Sequence, residues 1–245
     1  MSDRFFSSQA ITSDRVTLDG AEAHHLLHVM RCRVGERVTL FDDSGAEFSA
    51  VVEALGRNDV ALRIDERRVV DRELPFPLAV GVALPKGDRQ KWLVEKFTEL
   101  GVTTLVPLAT EHGVAQPTAS ALERLRRAVI EAAKQCGRNR LMQIANPQAW
   151  REFASQSSIA GDLRSPDRSA APIRCLIAHP GGAPVSKIDF TASLATHIAI
   201  GPEGGLTDDE LSVAIDAGWQ PVDLGPRILR VETAAVALTA AIALR

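Results

Sequence analysis

The sequence predicts an α/β protein in two parts: a small β-barrel domain over residues 1–72 and an open α/β domain over residues 73–245. Three observations carry that prediction. Short β-patterned runs recur at close, even spacing near the N-terminus, separated by turn residues. A near-continuous apolar run from Leu78 to Leu84 then has the pattern of a strand buried on both faces. Near the C-terminus two strand, glycine-turn and helix units follow one another, which places both turns at the carboxyl ends of parallel strands, where open α/β sheets bind ligands.

The β runs of the first domain are Arg37–Phe41, Glu47–Val52 and Asp59–Ile64, with turn chemistry between them in Asp42-Asp43-Ser44-Gly45 and Gly56-Arg57-Asn58. One short helix, Ala21 to Met30, interrupts the strands. Asp71 to Pro77, with two prolines, reads as the linker. After the buried strand and a Lys86-Gly87-Asp88 turn, Asp88 is expected to cap a helix with Leu93, Phe97 and Leu100 on one face, ended by Gly101; Thr103 to Leu108 is the next strand. Thr118 caps a longer helix with Leu122, Leu125, Val129, Ala132 and Cys136 along one side. Its other side is basic, with six Lys or Arg against two Glu from Ala121 to Arg140. Ser155 to Pro172 is small, polar and proline-punctuated, which suits a mobile loop or insertion. Ile173–Ala178 resumes the sheet and ends in a His179-Pro180-Gly181-Gly182 turn.

The last forty-five residues organise the rest. A strand from Leu194 to Ile200 runs into Gly201-Pro202-Glu203-Gly204-Gly205, whose three glycines leave a bare backbone for a ligand to approach. Thr207 and Glu210 form a capping box for the next helix, and Gly218 supplies its left-handed stop. A strand from Pro221 to Leu224 meets Gly225-Pro226, and a final helix, Thr233 to Leu244, is apolar nearly all round. Such a helix belongs either in the core of one subunit or at a dimer interface.

Composition narrows the function classes. The chain is 45% hydrophobic and 24% charged with a net charge of -3, so any polyanion must be met by local basic patches. Residues 1–72 carry ten Lys or Arg against thirteen Asp or Glu, so an RNA-binding face there requires segregated cations. Three cysteines without C-x-x-C spacing argue against a disulfide framework or zinc. His24, His25 and His28 share helical spacing but have no Cys or clear carboxylate partner, so no metal is expected. No leader-like or membrane-spanning run is visible, which fits a cytoplasmic protein. The glycine turns match neither G-x-G-x-x-G nor the P-loop.

Four motifs in register, LPKGDRQKWLVEKFTELGV, KQCGR, GPEGG and LGPRILRVET, resemble the RsmE ribosomal RNA methyltransferases, members of the SPOUT class of knotted enzymes. The resemblance runs from Arg4 to the end. It implies a PUA-like barrel, a SPOUT domain with a trefoil knot through which the last cofactor segment threads, and a homodimer. It also implies methylation of N3 of a uridine in 16S rRNA by S-adenosylmethionine (SAM), within an assembled small ribosomal subunit. The matching cofactor segments are Ala178, His179 and Pro180; Ile200, Gly201, Pro202, Glu203, Gly204 and Gly205; and Leu224, Gly225, Pro226, Arg227, Ile228 and Leu229. Because N3 must lose a proton, Arg230 is expected to hold the uracil oxygens as charge develops, and Glu232 to accept the proton or orient that arginine. The bland alternative is that Glu232 caps the last helix and pairs with Arg230. Arg4, Arg31, Lys86, Arg89, Arg138 and Arg140 are expected at RNA, although Lys86 and Arg89 also suit an ordinary helix start, and charge runs are often solvated faces. The chain departs from the family at His112-Gly113, where an arginine-serine pair is usual, and at Asp42-Asp43 in the barrel turn. Two rival readings are a related knotted enzyme acting on a ribose hydroxyl or on tRNA, and a non-catalytic RNA-binding protein that kept the fold, whose mark would be damaged cofactor turns; here the turns are complete.

Overall fold

The computed structural model describes residues 4–113, 116–155, 172–190 and 194–244, so most of the polar stretch from Ser155 to Pro172 lies outside the described residues. The chain forms two compact units, Met1–Glu73 with Ile130–Leu141, and Leu74–Val129 with Met142–Arg245.

The first unit is a curled five-stranded sheet of β1 (Arg4–Phe6), β2 (Arg15–Leu18), β3 (Arg37–Phe41), β4 (Ala46–Leu55) and β5 (Val60–Val69), in the order β1-β3-β4-β5-β2. Strict alternation along β4 turns Ala46, Phe48, Ala50 and Val52 inward onto Phe5, Leu26, Leu40 and Leu62. Two irregularities in the β4–β5 register bend the sheet. The expected Ala21–Met30 helix is one turn of α-helix, α1 (Gly20–His24), continued by a π-helical turn over His25–Met30; Arg31, at φ 55°, ends it in the left-handed region.

The second unit carries a parallel sheet of β6 (Leu78–Val82), β7 (Thr104–Ala109), β8 (Gln143–Ile144), β10 (Arg174–Pro184), β11 (Thr196–Ile200) and β12 (Gln220–Asp223), in the order β12-β10-β11-β6-β7-β8; β9 (Gln148–Ala149) also pairs with β7. Every residue of β6 and β11 is buried, as central parallel strands require. The helices are α2 (Arg89–Glu99), α3 (Ala119–Cys136), α4 (Trp150–Ser155), α5 (Asp208–Asp216) and α6 (Val231–Ala243). The capping box of Thr207 and Glu210 forms in full, and Gly218 takes φ 87° after α5. Asp88 precedes α2 as expected but makes no side-chain cap, because its own backbone is already helical. Trp150 and Trp219 donate their indole N–H groups to the carbonyls of Glu210 and Ala154, at 2.8 and 2.9 Å, and so tie α4 to α5 and to the segment that leads into β12, beside Phe153.

The turn expected after Ala178 is instead a bulge within one strand. Ala178 and Ala183 both pair with Val222, leaving His179 to Gly182 looped out of the register with β12. A Cβ on Gly182 would stand 2.5 Å from the carbonyl carbon of Pro221, so only glycine permits this approach. The last helix is also less uniform than its composition suggests: Val231, Glu232, Ala235, Leu238, Thr239 and Ile242 are buried, while Thr233, Ala237 and Ala241 face outward.

Candidate active site

β6 leads on toward β7 on one side of the sheet and β11 leads toward β12 on the other, so β6 and β11 flank the topological switch point. The carboxyl ends of β10, β11 and β12 line a cleft of about 320 Å³ beside it. All three expected segments converge there: Ala178, His179 and Pro180 from the bulge, Ile200–Glu203 with Gly205 from the second turn, and Leu224, Gly225, Arg227, Ile228 and Leu229 from the third. Gly204 and Pro226 belong to the same turns without lining the cleft. Sequence reasoning missed Leu206, Val222, Asp223, Val231 and Ala234, apolar or strand residues whose role appears only once the turns meet.

The chemistry of the lining is selective. Ile200, Val222, Leu229 and Val231 offer an apolar slot, the glycine turns expose backbone donors and acceptors, and Glu203 and Asp223 add negative charge. This suits an aromatic base joined to a sulfonium cation better than it suits a polyphosphate. The turn that carries Glu203 is braced from below. Glu210, 7% exposed, accepts from the Thr207 backbone N–H at 3.0 Å and from the Glu111 N–H at 2.9 Å. His112, one of the departures from the family pattern, sits on this turn, with Nδ1 3.3 Å from the Gly205 carbonyl oxygen.

At the rim stands a carboxylate and arginine cluster. Glu232 is buried in the first turn of α6 and accepts from Arg89, Nη1 lying 3.3 Å from each carboxylate oxygen; the same nitrogen is 3.5 Å from Oε1 of Glu203. Glu232 therefore neither caps α6 nor pairs with Arg230. Arg230 occupies the N-cap position with an extended backbone and no side-chain cap, is exposed, and makes no ion pair among the described residues.

The six residues expected at RNA divide sharply. Arg31 and Lys86 are exposed. Arg89 is engaged by the two carboxylates. Arg140 is half-buried, its guanidinium 3.0 Å from where a Cβ on Gly45 would be. Arg4 and Arg138 correct the expectation outright. Arg4 is 7% exposed, ion-paired to Glu47 at 3.1 Å and hydrogen-bonded to Asn139 at 2.6 Å, while Arg138 is 3% exposed and paired with Glu73. Their charges are neutralised inside the first unit. Burial alone would raise the Glu47 pKa, but hydrogen bonds from Arg4 and Arg72 outweigh it and hold the carboxyl below its usual range. Among the described residues no cluster of three His, Cys, Asp or Glu is placed to hold a metal, and no helix is long and apolar enough to cross a membrane.

Comparison with known proteins agrees with this geometry. A family model described as an RNA methyltransferase domain matches residues 72–243, and one described as an RNA methyltransferase PUA domain matches residues 18–65. Ribosomal RNA small subunit methyltransferase E of Synechocystis is 36% identical over 92% of this chain and 72% of its own length. The crystal structure of a ribosomal RNA small subunit methyltransferase E from Neisseria gonorrhoeae bound to S-adenosyl methionine superposes with a TM-score of 0.84 at 29% identity, covering 99% of this chain and 97% of that one. A Legionella pneumophila structure in complex with the cofactor SAM gives 0.86 at 26% identity, with 99% and 97% coverage. The chain belongs to the RNA methyltransferase family, in the branch that joins a PUA domain to the α/β methyltransferase domain.

Proposed function

We propose that this chain is a SAM-dependent methyltransferase of small-subunit ribosomal RNA, acting on N3 of a uridine. The observation that carries the proposal is the convergence of three strand-end segments on one apolar cleft, with the Glu232–Arg89 pair at its rim. SAM, when bound, supplies an electrophilic methyl group on sulfur. The chain's own residues do the rest. The glycine turns bind and orient without needing a side chain, and Glu203 and Asp223 complement positive charge. Uracil N3 carries a proton in its resting form, so the site must take that proton and stabilise the anion. Glu232, buried beside the cleft, is the proton acceptor or the orienter of a cation. Arg230, exposed at the mouth, holds the uracil oxygens.

The substrate is 16S rRNA in an assembled small subunit, which puts the reaction in the cytoplasm. The first unit and the exposed Arg31 and Lys86 make the RNA contacts. The chain acts as a homodimer, a reading supported by the outward face of α6, where Thr233, Ala237 and Ala241 allow close approach, and by Ile228, 98% exposed at the cleft. The trefoil knot belongs to the same proposal: after β12 at one edge of the sheet the chain returns to pack α6 on α2 and β11.

Two measurements test the reading. Calorimetric titration with SAM should show binding to the wild type that is lost in Gly204→Trp, since even a Cβ there would lie 3.1 Å from His112. Mass spectrometry of digested 16S rRNA from a deletion strain should then reveal one missing methyl group on a uracil base; a missing ribose methyl would favour the related ribose-modifying reading. Failure of well-folded wild type to bind SAM with or without RNA would leave the non-catalytic RNA binder.

A further inference from the structure

Arg89 is engaged in an unusual way. One of its nitrogens, Nη1, is shared among three carboxylate oxygens at 3.3 to 3.5 Å, whereas well-made charge-assisted bonds close to about 2.7–2.9 Å. Its Nη2 and Nε make no hydrogen bond among the described residues. The arginine side chain is 38% exposed while that of Glu232 is only 10% exposed, so the cation reaches the buried carboxylate from the solvent edge. A buried structural pair of this chain is closed to solvent on both sides. Lys134 meets Glu22 at 3.0 Å with side chains 6% and 16% exposed. The Arg89 pair is accessible and, among the described residues, uses only one of the arginine's three nitrogens.

This arrangement carries a chemical tension. Taking the N3 proton onto Glu232 moves the negative charge from the carboxylate to the uracil, so the cation that paired with the carboxylate has to follow it. Resting on the uridine N3 reading, we propose that Arg89 is a catalytic cation that is exchanged between two anions. The N3–H proton passes to a Glu232 oxygen, and the electron pair left behind spreads over O2, N3 and O4 of the uracil. Arg89, still positive, turns its unused donors from the carboxylate to the uracil oxygens. An arginine–carboxylate pair and a neutral uracil thus become an arginine–uracilate pair and a neutral carboxylic acid, and the net charge of the site does not change. No unpaired charge is left in a region where that would be costly. The N3 lone pair then bonds to the methyl carbon as the carbon–sulfur bond breaks, its electrons going to sulfur. Glu232 afterwards releases its proton to solvent and recovers Arg89. The exchange is open to Arg89 because Nη1 alone engages the carboxylates among the described residues, leaving Nη2 and Nε to meet the uracil oxygens.

The test uses small subunits reconstituted with 16S rRNA transcribed from uridine or from 5-fluorouridine, whose ring fluorine makes N3–H more acidic. Single-turnover methyl transfer is measured for wild type, Arg89→Ala and Arg89→Lys, beside the affinity of each for SAM. Loss of one donor that stabilises a developing anion lowers the rate about 10²–10³-fold, so Arg89→Ala should show that loss with SAM affinity close to wild type, and Arg89→Lys should recover part of it. The deficit of Arg89→Ala should shrink by up to about tenfold on the fluorinated RNA, since roughly one unit of added acidity replaces part of the missing stabilisation. A purely structural arginine would give equal deficits on both RNAs. That result, or full activity of Arg89→Ala, overturns the proposal. Circular dichroism checks that the variants are folded, and should Arg89→Ala not fold, the comparison of the two RNAs is made with Arg89→Lys. If the wild type forms no N3-methyluridine on either RNA, the proposed function fails rather than the role of Arg89.

Discussion

Gly182 offers the most direct test of how the cleft is built. The residue sits in the bulge where β10 and β12 press together, and an added Cβ would lie 2.5 Å from the Pro221 carbonyl carbon and 2.6 Å from the Val222 nitrogen. Both are backbone atoms of a paired strand, so no side chain can swing aside. Gly182→Ala must push the strands apart by about half an ångström at least, and overpacking of this kind costs about 1–3 kcal/mol. The melting temperature should fall by about 2–4 °C for each kcal/mol. Val222 lines the cleft opposite the bulge that carries His179 and Pro180, so the same displacement widens the slot. If about 1.4 kcal/mol of the strain falls on the bound geometry, SAM affinity drops roughly tenfold. Gly181→Ala is the contrast. Nothing lies within 4 Å of its added Cβ, but its φ of 84° penalises any side chain. It should lose about 1–2 kcal/mol of stability and keep its SAM affinity. Differential scanning calorimetry and titration calorimetry give both numbers. A Gly182→Ala protein that melts and binds SAM like the wild type would refute the account of the bulge.

Three further predictions concern groups away from the cleft. Glu47 is depressed by its arginine partners, so its contribution to stability is present above its ordinary value of 4.5 and is lost as pH falls through its folded value; the stability gap between wild type and Glu47→Gln in urea should be full at pH 7 and close on acidification. Burial pushes the Cys175 thiol up to about 11, so its stabilisation is complete below its ordinary value of 9.0 and is lost as pH rises through 11. At pH 8 an alkylating reagent followed by mass spectrometry should leave native Cys175 unmodified. Arg138→Ala breaks a buried pair and should destabilise the first unit by about 3–5 kcal/mol while leaving the salt dependence of RNA binding unchanged; Arg31→Ala should do the reverse, lowering the slope of log affinity against log salt by about 0.7.

The parallel sheet and the cofactor turns were legible in the chain because both are local signals. β6 is a near-continuous apolar run, β11 ends in the apolar Ile198-Ala199-Ile200, and the turns after β11 and β12 follow their strands directly. The edges were not legible. β1 has three residues and β2 four, too short to show alternation, and both are defined only by their partners β3 and β5. The His179–Gly182 segment has turn composition, yet it is a bulge because the strand resumes pairing with the same Val222. The rim cluster was out of reach for the same reason. Arg89 and Glu232 are 143 positions apart, and nothing in the local pattern distinguishes Glu232 bound to Arg89 from Glu232 bound to its near neighbour Arg230.

The basic stretch around the end of α3 shows why charge alone misleads in a chain of net charge -3. Read as sequence, six cations between Ala121 and Arg140 form the strongest positive patch of the chain, open both to RNA contact through Arg138 and Arg140 and to a solvated face. In the structure, Arg126 pairs with Glu123, Lys134 with Glu22 and Glu131, and Arg138 with Glu73. Lys134 also stands 5.7 Å over the Phe5 ring. The residues 130–141 that carry the last of these cations belong to the first unit, where they meet Arg4, Glu22 and Glu73, all far removed in sequence. Cations spent this way contribute to stability but release few counterions from a bound polyanion. Attraction to RNA must then come from cations left in water, such as Arg31, held outward by its left-handed backbone, and Lys86, in the turn after β6. Arg124 and Arg127 of α3 are exposed as well, so the stretch keeps part of its charge in water. On the proposed reading, the choice of uridine rests on the rim where Arg89, Glu203 and Glu232 meet, which the charge pattern of the chain does not reveal.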